Sequence, residues 1–345
     1  AKSLPRGRYF DCEIPRVQMA MEDPERFLSR LGRGRVVLDE IHRLANPSQL
    51  LKIAADHFPA VRILATGSST LGASRKFRDT LTGRKTSIWL TPMTLGDMRD
   101  FRRTDLLHRM VFGGLPPLFL QTRLREEFFR EWMDDYWARD IEELFRIQQK
   151  APFAKFVQLL MHQSGSMFEA TSFARPCEVN RMTITNYLAI LEGTHVAYVL
   201  RPFSLRRAIE IVAAPKVYAF DTGFVSYFKG WTRLTAENRG ALWEHIVLNE
   251  INAAIQGRPV LYWRDKHGNE VDFIIPRHGR PPIAIESKWS ARAFNPGAML
   301  SFARAHPGSV LAVVARDVNR PAQMRFGQNT VLALPASGIP PLIAG

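Results

Sequence analysis

The sequence predicts an α/β protein of several domains, and three observations carry that expectation. Near the start, residues 36–66 read as strand, helix, strand, with apolar strands that end in polar residues, the form of a central parallel sheet. The middle reads as helix, turn and helix followed by a hairpin. From residue 236 the order is helix, three strands, helix and strand. The 345 residues suit two or three domains of roughly 100–200 residues each. The expected segments are an N-terminal α/β core (1–100), a helical linker or lid (101–152), a helix–turn–helix section (153–235) and a C-terminal α/β domain (236–345).

Composition narrows the class. Hydrophobic residues make up 46% and charged residues 23%, which is globular usage. Cys12 and Cys177, the two cysteines, cannot build a disulfide framework or a zinc cluster, so a reducing, cytoplasmic setting is expected. The nine histidines are dispersed without an H-E-x-x-H pair, which removes zinc chemistry. No apolar run approaches the ~18 residues of a membrane span, so no membrane partner is expected. The net charge of +14 invites a polyanion, yet the excess is spread along the chain, +6 over 1–100 and +4 over 236–345.

Val36-Val37-Leu38 is a short buried strand that closes on Asp39-Glu40. Asn46-Pro47-Ser48 follows as a turn, with Ser48 expected as N-cap of a helix over Gln49–Phe58. The second strand, Val61 to Thr66, ends in Gly67-Ser68-Ser69. Adjacent carboxylates at a strand end suit nucleoside-triphosphate hydrolysis with Mg2+. Asp39 would hold Mg2+, mostly through water, and Glu40 would polarise the attacking water. Thr66 and Ser68, on the neighbouring strand end, would orient the γ-phosphate. The simpler alternative is that Asp39-Glu40 caps the loop after the strand.

These residues resemble a known family. Val36 to His42, Ala65-Thr66-Gly67-Ser68-Ser69 and Leu81-Thr82-Gly83-Arg84 are similar to motifs of prokaryotic AAA+-type ATPases, which pair an N-terminal ATPase with a C-terminal domain of unknown function. The resemblance continues through Gly113-Gly114-Leu115-Pro116, Arg139-Asp140 and Pro215 to Gly223, and so covers nearly the whole chain. It implies a partial P-loop AAA+-type parallel sheet, and it makes Arg84 a partner for nucleotide or for a neighbouring subunit. A surface arginine in a basic stretch is the plainer account of Arg84.

One departure stands out. No G-x-x-x-x-G-K-[ST] occurs in the 345 residues, so the usual cradle for the β- and γ-phosphates is missing. The expectation is a truncated form whose phosphate loop and first strand lie upstream, with ATP as a partner of the full-length parent. A degenerate ATPase that never had the loop would read the same way. Either way, weak ATP binding by this chain is expected.

Residues 101–160 read as helical in character, and Arg123–Arg146 has apolar positions near 3.6 spacing that form a core-facing aromatic stripe. Met167–Ala174 and Thr183–Glu192 then read as two short helices around a turn, and Val196–Leu200 and Lys216–Phe220 as a hairpin. That is the winged-helix plan, whose second helix often enters a major groove. Arg181, Thr183, Thr185 and Asn186 lie early in that helix and are the DNA-contact candidates, with Arg201, Arg206 and Arg207 for phosphates. Such modules also scaffold protein partners.

The C-terminal segment carries the most specific constellation. A helix (Gly240–Ile255), strands at Pro259–Arg264, Glu270–Pro276 and Ile283–Lys288, a helix (Pro296–Ala305) and a strand (Ser309–Ala315) give the order of a restriction-endonuclease-like core. Asp272 interrupts the second strand, and Glu286 and Lys288 share a face of the third. This resembles the PD-(D/E)xK nuclease site, with Glu244 one turn into the preceding helix. Asp272 and Glu286 would hold Mg2+, and Lys288 would orient water and offset phosphate charge. The alternative is an ion-pair cluster that fixes the fold.

The sequence therefore reads as an ATPase coupled to DNA- or protein-binding C-terminal domains. Two alternatives stay open, a metal-dependent nuclease and a non-catalytic binding module. A protein partner or a homo-oligomer fits either.

Overall fold

The computed structural model describes residues 7–67, 81, 83–142, 145, 147, 149–204 and 214–345. Ser68, Arg206 and Arg207 lie outside the described residues, as do the side chains of Arg139 and Asp140. The chain falls into two compact units, residues 1–87 with 135–148 and 193–195, and residues 88–134 with 149–192 and 196–345.

In the first unit, β1 (Gly7–Asp11), β2 (Gly34–Asp39) and β3 (Val61–Ala65) form a parallel sheet in sequence order. Parallel neighbours need crossovers. Helices α1 (Pro15–Ala20) and α2 (Pro24–Leu31) supply the first, and α3 (Pro47–His57) the second. Phe27, Leu28 and Leu31 of α2 and Leu50 and Ala54 of α3 bury against Val36, Leu38 and Val61, with Cys12 and Ile41 beside them. The N-cap of α3 is Asn46, whose side chain accepts from the Gln49 amide at 3.3 Å. The expectation of Ser48 is thus corrected. Pro47 lacks an N–H and has a preset φ, so it fits the first helical position and moves the start upstream.

In the second unit, α4 (Leu106–Phe112) and α5 (Pro116–Phe119) precede α6 (Glu126–Tyr136). Within the helical stretch expected over Arg123–Arg146, α6 reaches residues 135 and 136, which belong to the first unit, and passes there into a π-helical turn over Trp137–Glu142. Such wide turns shift the register of a side-chain stripe.

Next come α7 (Lys150–His162), β4 (Ser166–Met167), α8 (Ala170–Ala174) and α9 (Arg181–Gly193). Met167 belongs to β4, which pairs with β6, so the helix expected from Met167 begins at Ala170. Strands β5 (Ala197–Leu200) and β6 (Lys216–Ala219) pair antiparallel, and α10 (Thr222–Phe228) follows.

A buried polar hub explains the glycines of the middle section. Arg109 on α4 is 1% exposed. Its Nε and Nη2 donate to the Met93 carbonyl at 3.1 and 2.9 Å, and its Nη1 donates to Thr222 Oγ1 at 2.8 Å. Asp221, the N-cap of α10, lies 3.9 Å from Nη1 and accepts from the Gly114 and Gly223 amides at 2.6 and 2.8 Å. Gly113 has φ +78°, and a Cβ there would lie 1.9 Å from Asp221 Oδ1. Only glycine tolerates both the backbone and the contact.

The C-terminal part follows the order read from the sequence. Helix α11 (Ala236–Ile255) opens with a capping box between Thr235 and Asn238. Strands β7 (Leu261–Arg264), β8 (Glu270–Arg277) and β9 (Arg280–Lys288) form an antiparallel meander. Helix α12 (Gly297–Ala305) then leads to β10 (Val310–Ala315), parallel to β9. The sheet continues with β11 (Ala322–Phe326) and β12 (Asn329–Leu334), in the order β11-β12-β10-β9-β8-β7, and α13 (Ile339–Ala344) closes the chain.

Candidate functional site

The polar ends of the first sheet converge. In register, Asp11 sits opposite Asp39, and Leu38 opposite Ala65. The Thr66 amide donates to the Leu38 carbonyl at 2.9 Å, and the Ile41 amide to the Thr66 carbonyl at 3.0 Å, so the two loops leave the sheet together. That places the Thr66 hydroxyl on Asp39 Oδ1 and the Tyr9 hydroxyl on Asp39 Oδ2, both as donors. The Tyr9 hydroxyl is pushed up to about 12, first by that hydrogen bond and then by burial.

Glu40 has φ +52°, a left-handed conformation that is uncommon for a residue with a side chain and is found at functional turns. Its Oε2 lies 3.2 Å from His42 Nδ1. Thus Asp39, Glu40 and Thr66 are neighbours, as the spacing suggested. Tyr9 was missed, because a tyrosine on a short strand carries no mark of the carboxylate it reaches 30 residues away. Arg84 binds Asp56 of α3, Nε to Oδ1 at 2.6 Å, and is held as an exposed ion pair.

The second cluster lies in the C-terminal sheet. Phe273 pairs with Ile285 in the antiparallel β8–β9 ladder, so Asp272, one residue before on β8, and Glu286, one residue after on β9, fall next to each other. Asp272 Oδ2 accepts from the Ser287 amide at 2.8 Å. Glu286 Oε1 accepts from Lys288 Nζ at 2.6 Å, whereas Glu286 Oε2 is buried without a hydrogen-bond partner. Glu244, on α11, accepts from the Tyr218 hydroxyl.

Lys216, on β6 and 6% exposed, donates to Glu270 Oε1 at 2.7 Å and reaches Glu244 Oε1 at 3.5 Å. The four expected residues therefore come together, and Lys216, Tyr218 and Glu270 join them unexpectedly. A lysine opening the apolar run Lys216-Val217-Tyr218-Ala219 was the available signal, since a buried ammonium needs a carboxylate.

The electrostatics follow from burial. Desolvation, then the charges of Glu286 and Glu244, push the Asp272 carboxyl well above its ordinary range. Burial also raises Glu286, against the opposing effect of Lys288. For Lys216 burial disfavours the ammonium, but Glu244, Asp272 and Glu270 outweigh it and its pKa rises. Perturbed carboxyls in a polar cluster are a mark of functional sites. Among the described residues no group of three or more His, Cys, Asp or Glu side chains is arranged to hold a metal ion. Mg2+ needs less, since one or two carboxylates with water and substrate oxygens suffice. The orphaned Glu286 Oε2 beside Asp272 fits that demand.

On α9, Arg181, Thr185 and Asn186 are exposed, and Met182 is 68% exposed beside them. Thr183 is instead tied to Asn180 Oδ1 through its amide (2.8 Å) and hydroxyl (3.0 Å), as part of the helix start. Arg201 is engaged by Glu192 with both terminal nitrogens, at 2.7 and 3.0 Å. No described helix is long and apolar enough to cross a membrane.

Comparisons with known proteins match three successive segments of the chain. A family model described as an AAA domain matches residues 3–98. Two domains of unknown function, DUF8612 and DUF4143, match residues 103–235 and 239–336. The likeness to an AAA domain is thus confined to the first of the three segments. It is 30% identical over 341 residues to "Uncharacterized protein Rv2008c" of Mycobacterium tuberculosis and to "Uncharacterized protein Mb2031c" of Mycobacterium bovis. The match covers 96% of this chain and 74% of each relative, and the chain belongs to the family of these mycobacterial proteins. Among solved structures, a Thermococcus gammatolerans assembly of McrB AAA+ hexamers with bound McrC is similar at 11% identity and a TM-score of 0.26, over 80% of this chain and 74% of that one. A score that low carries no argument.

Proposed function

We propose that the protein is a nucleoside-triphosphatase, with ATP and Mg2+ at the Asp39–Glu40 strand end, whose following domains engage DNA or a protein partner. The observation that carries it is the Thr66 hydroxyl on the Asp39 carboxylate across neighbouring strand ends, with Glu40 next to them in a left-handed backbone conformation. Asp39 would hold Mg2+ through water, and the ion would draw charge from the phosphate oxygens. Glu40 would accept a proton from the attacking water, and Thr66, donating to Asp39, would fix that carboxylate and orient the γ-phosphate. The phosphate cradle itself does not fit these residues, since G-x-x-x-x-G-K-[ST] is absent from the 345. Titration of the chain with Mg·ATP therefore gives weak binding, and tight binding would overturn this division of labour. In a form that carries a phosphate loop, Glu40→Gln keeps nucleotide binding and loses turnover.

The convergence of Asp272, Glu286 and Lys288 favours a second reading, a PD-(D/E)xK-like metal site acting on phosphodiesters. Asp272 and Glu286 would hold a divalent ion that activates water and binds the scissile phosphate. Lys288 orients the water and offsets developing charge. Mg2+- or Mn2+-dependent cleavage of mixed DNA, lost in Asp272→Ala and Glu286→Ala, supports it. Binding without cleavage leaves the domain as a binding module.

A further inference from the structure

We infer that Lys216 is a built-in cation of the C-terminal acidic site and restricts that site to one divalent metal ion. The inference rests on the second reading above, in which Asp272 and Glu286 are metal ligands. Two-ion phosphodiester sites set their metals about 3.5–4 Å apart and need carboxylates for both. Four carboxylates line this cluster, Glu244, Glu270, Asp272 and Glu286.

Two of the four are already engaged by the same ammonium. Lys216 Nζ lies 2.7 Å from Glu270 Oε1 and 3.5 Å from Glu244 Oε1, and the Tyr218 hydroxyl donates to that same Glu244 oxygen. Arg264 approaches the other Glu270 oxygen at 4.0 Å from the solvent side. What remains for a metal is Asp272, which uses Oδ2 for the Ser287 amide, and Glu286, whose Oε1 takes the partly exposed Lys288 ammonium at 2.6 Å and whose Oε2 has no partner. Two carboxylates with water suit a single Mg2+ or Mn2+.

A second ion would have to recruit Glu244 and would then stand against the Lys216 ammonium. That ammonium cannot swing out to solvent as a surface lysine does. Residues 216 and 218 point to one face of β6, and the four residues of this strand are buried. Lys216 and Tyr218 come from the region matched by DUF8612, while the other cluster residues after 239 lie in the region matched by DUF4143. The metal site therefore draws on both. Lys216 acts here as a positioning residue, holding Glu244 and Glu270 while leaving Asp272 and Glu286 to the ion.

The test is the stoichiometry of Mn2+ by calorimetry, with electron paramagnetic resonance to detect coupled pairs. It uses the full chain with Asp39→Asn to silence the first unit. The expected result is one ion, lost in Asp272→Asn. Lys216→Met should admit a second ion with a dipolar-coupled signal, whereas Lys216→Arg and Tyr218→Phe keep one. Two coupled Asp272-dependent ions in the chain with Lys216 intact would overturn the inference and leave the metal site standing. So would Lys216→Met with unchanged stoichiometry and affinity. Absence of any Asp272-dependent ion would instead overturn the metal site itself, and the inference with it. If Lys216→Met fails to fold, as judged by circular dichroism, the stoichiometry with Lys216 intact decides alone.

Discussion

Replacing Asp221 by alanine tests the hub that organises the second unit. The carboxylate is buried, and it accepts the Gly114 and Gly223 amides at 2.6 and 2.8 Å while facing Arg109 at 3.9 Å. Alanine leaves two buried amides without acceptors, at about 1–3 kcal/mol each. It also leaves the buried guanidinium without its nearest counter-charge, a change that costs about 3–5 kcal/mol when a buried pair is broken. These contributions overlap, since the same water and backbone shifts relieve both. A loss of about 4 kcal/mol is the expected scale, a large part of the roughly 5–15 kcal/mol that holds a domain together. Urea unfolding followed by near-ultraviolet circular dichroism reads it, through a lower midpoint at similar slope. Asp221→Asn, which keeps an acceptor and removes the charge, should lose less. A midpoint within about 0.5 kcal/mol of the parent would refute the idea that this hub holds the unit together.

Three further outcomes follow from single residues. Gly113→Ala should cost about 3 kcal/mol or more in urea unfolding, because its Cβ meets Asp221, whereas Gly279→Ala, with φ +66° and nothing within 4 Å, should cost only about 1 kcal/mol. His245 is buried, accepts from Ser164 Oγ at 2.7 Å through Nε2, and donates to the Ala241 carbonyl at 2.8 Å through Nδ1, a tautomer assigned from those partners. Burial lowers its pKa, so its contribution to stability is full above the unfolded value near 6.5 and is lost as pH falls below it. The melting temperature should drop between pH 7.5 and 5.5, less steeply in His245→Gln. If α9 reads DNA, Arg181→Ala with Asn186→Ala should weaken duplex binding by about tenfold or more and lower the salt slope by about 1. Unchanged anisotropy titrations would remove that helix from the interface.

Much of both sites was legible because strand chemistry is local. Apolar runs that end in Asp39-Glu40 and Thr66, and the alternation of Glu286 and Lys288, mark strand ends and faces without knowledge of any partner. The meander and crossover order of the C-terminal sheet followed from the same patterns. What the residues did not disclose lies in long-range pairing. Tyr9 reaches Asp39, Lys216 reaches Glu270 over 54 residues, and Arg109 reaches Thr222 over 113. Burial alone gives these polar residues their partners, and a string of residues does not state burial. The wide turn after Tyr136 leaves no mark in the 3.6 spacing of the stripe, so the change from α-helical to π-helical chain is not legible there. Gly113-Gly114 read as a family motif, and its physical reason, the close approach of Asp221, appears only in three dimensions.

The most direct measurement concerns Glu40. In a form that carries a phosphate loop, steady-state phosphate release and nucleotide affinity are measured for the parent and for Glu40→Gln. Nucleotide affinity should stay within a few-fold and turnover should fall by about 100-fold or more, the usual loss when a general base is removed. Equal turnover in the two proteins would contradict that role of Glu40.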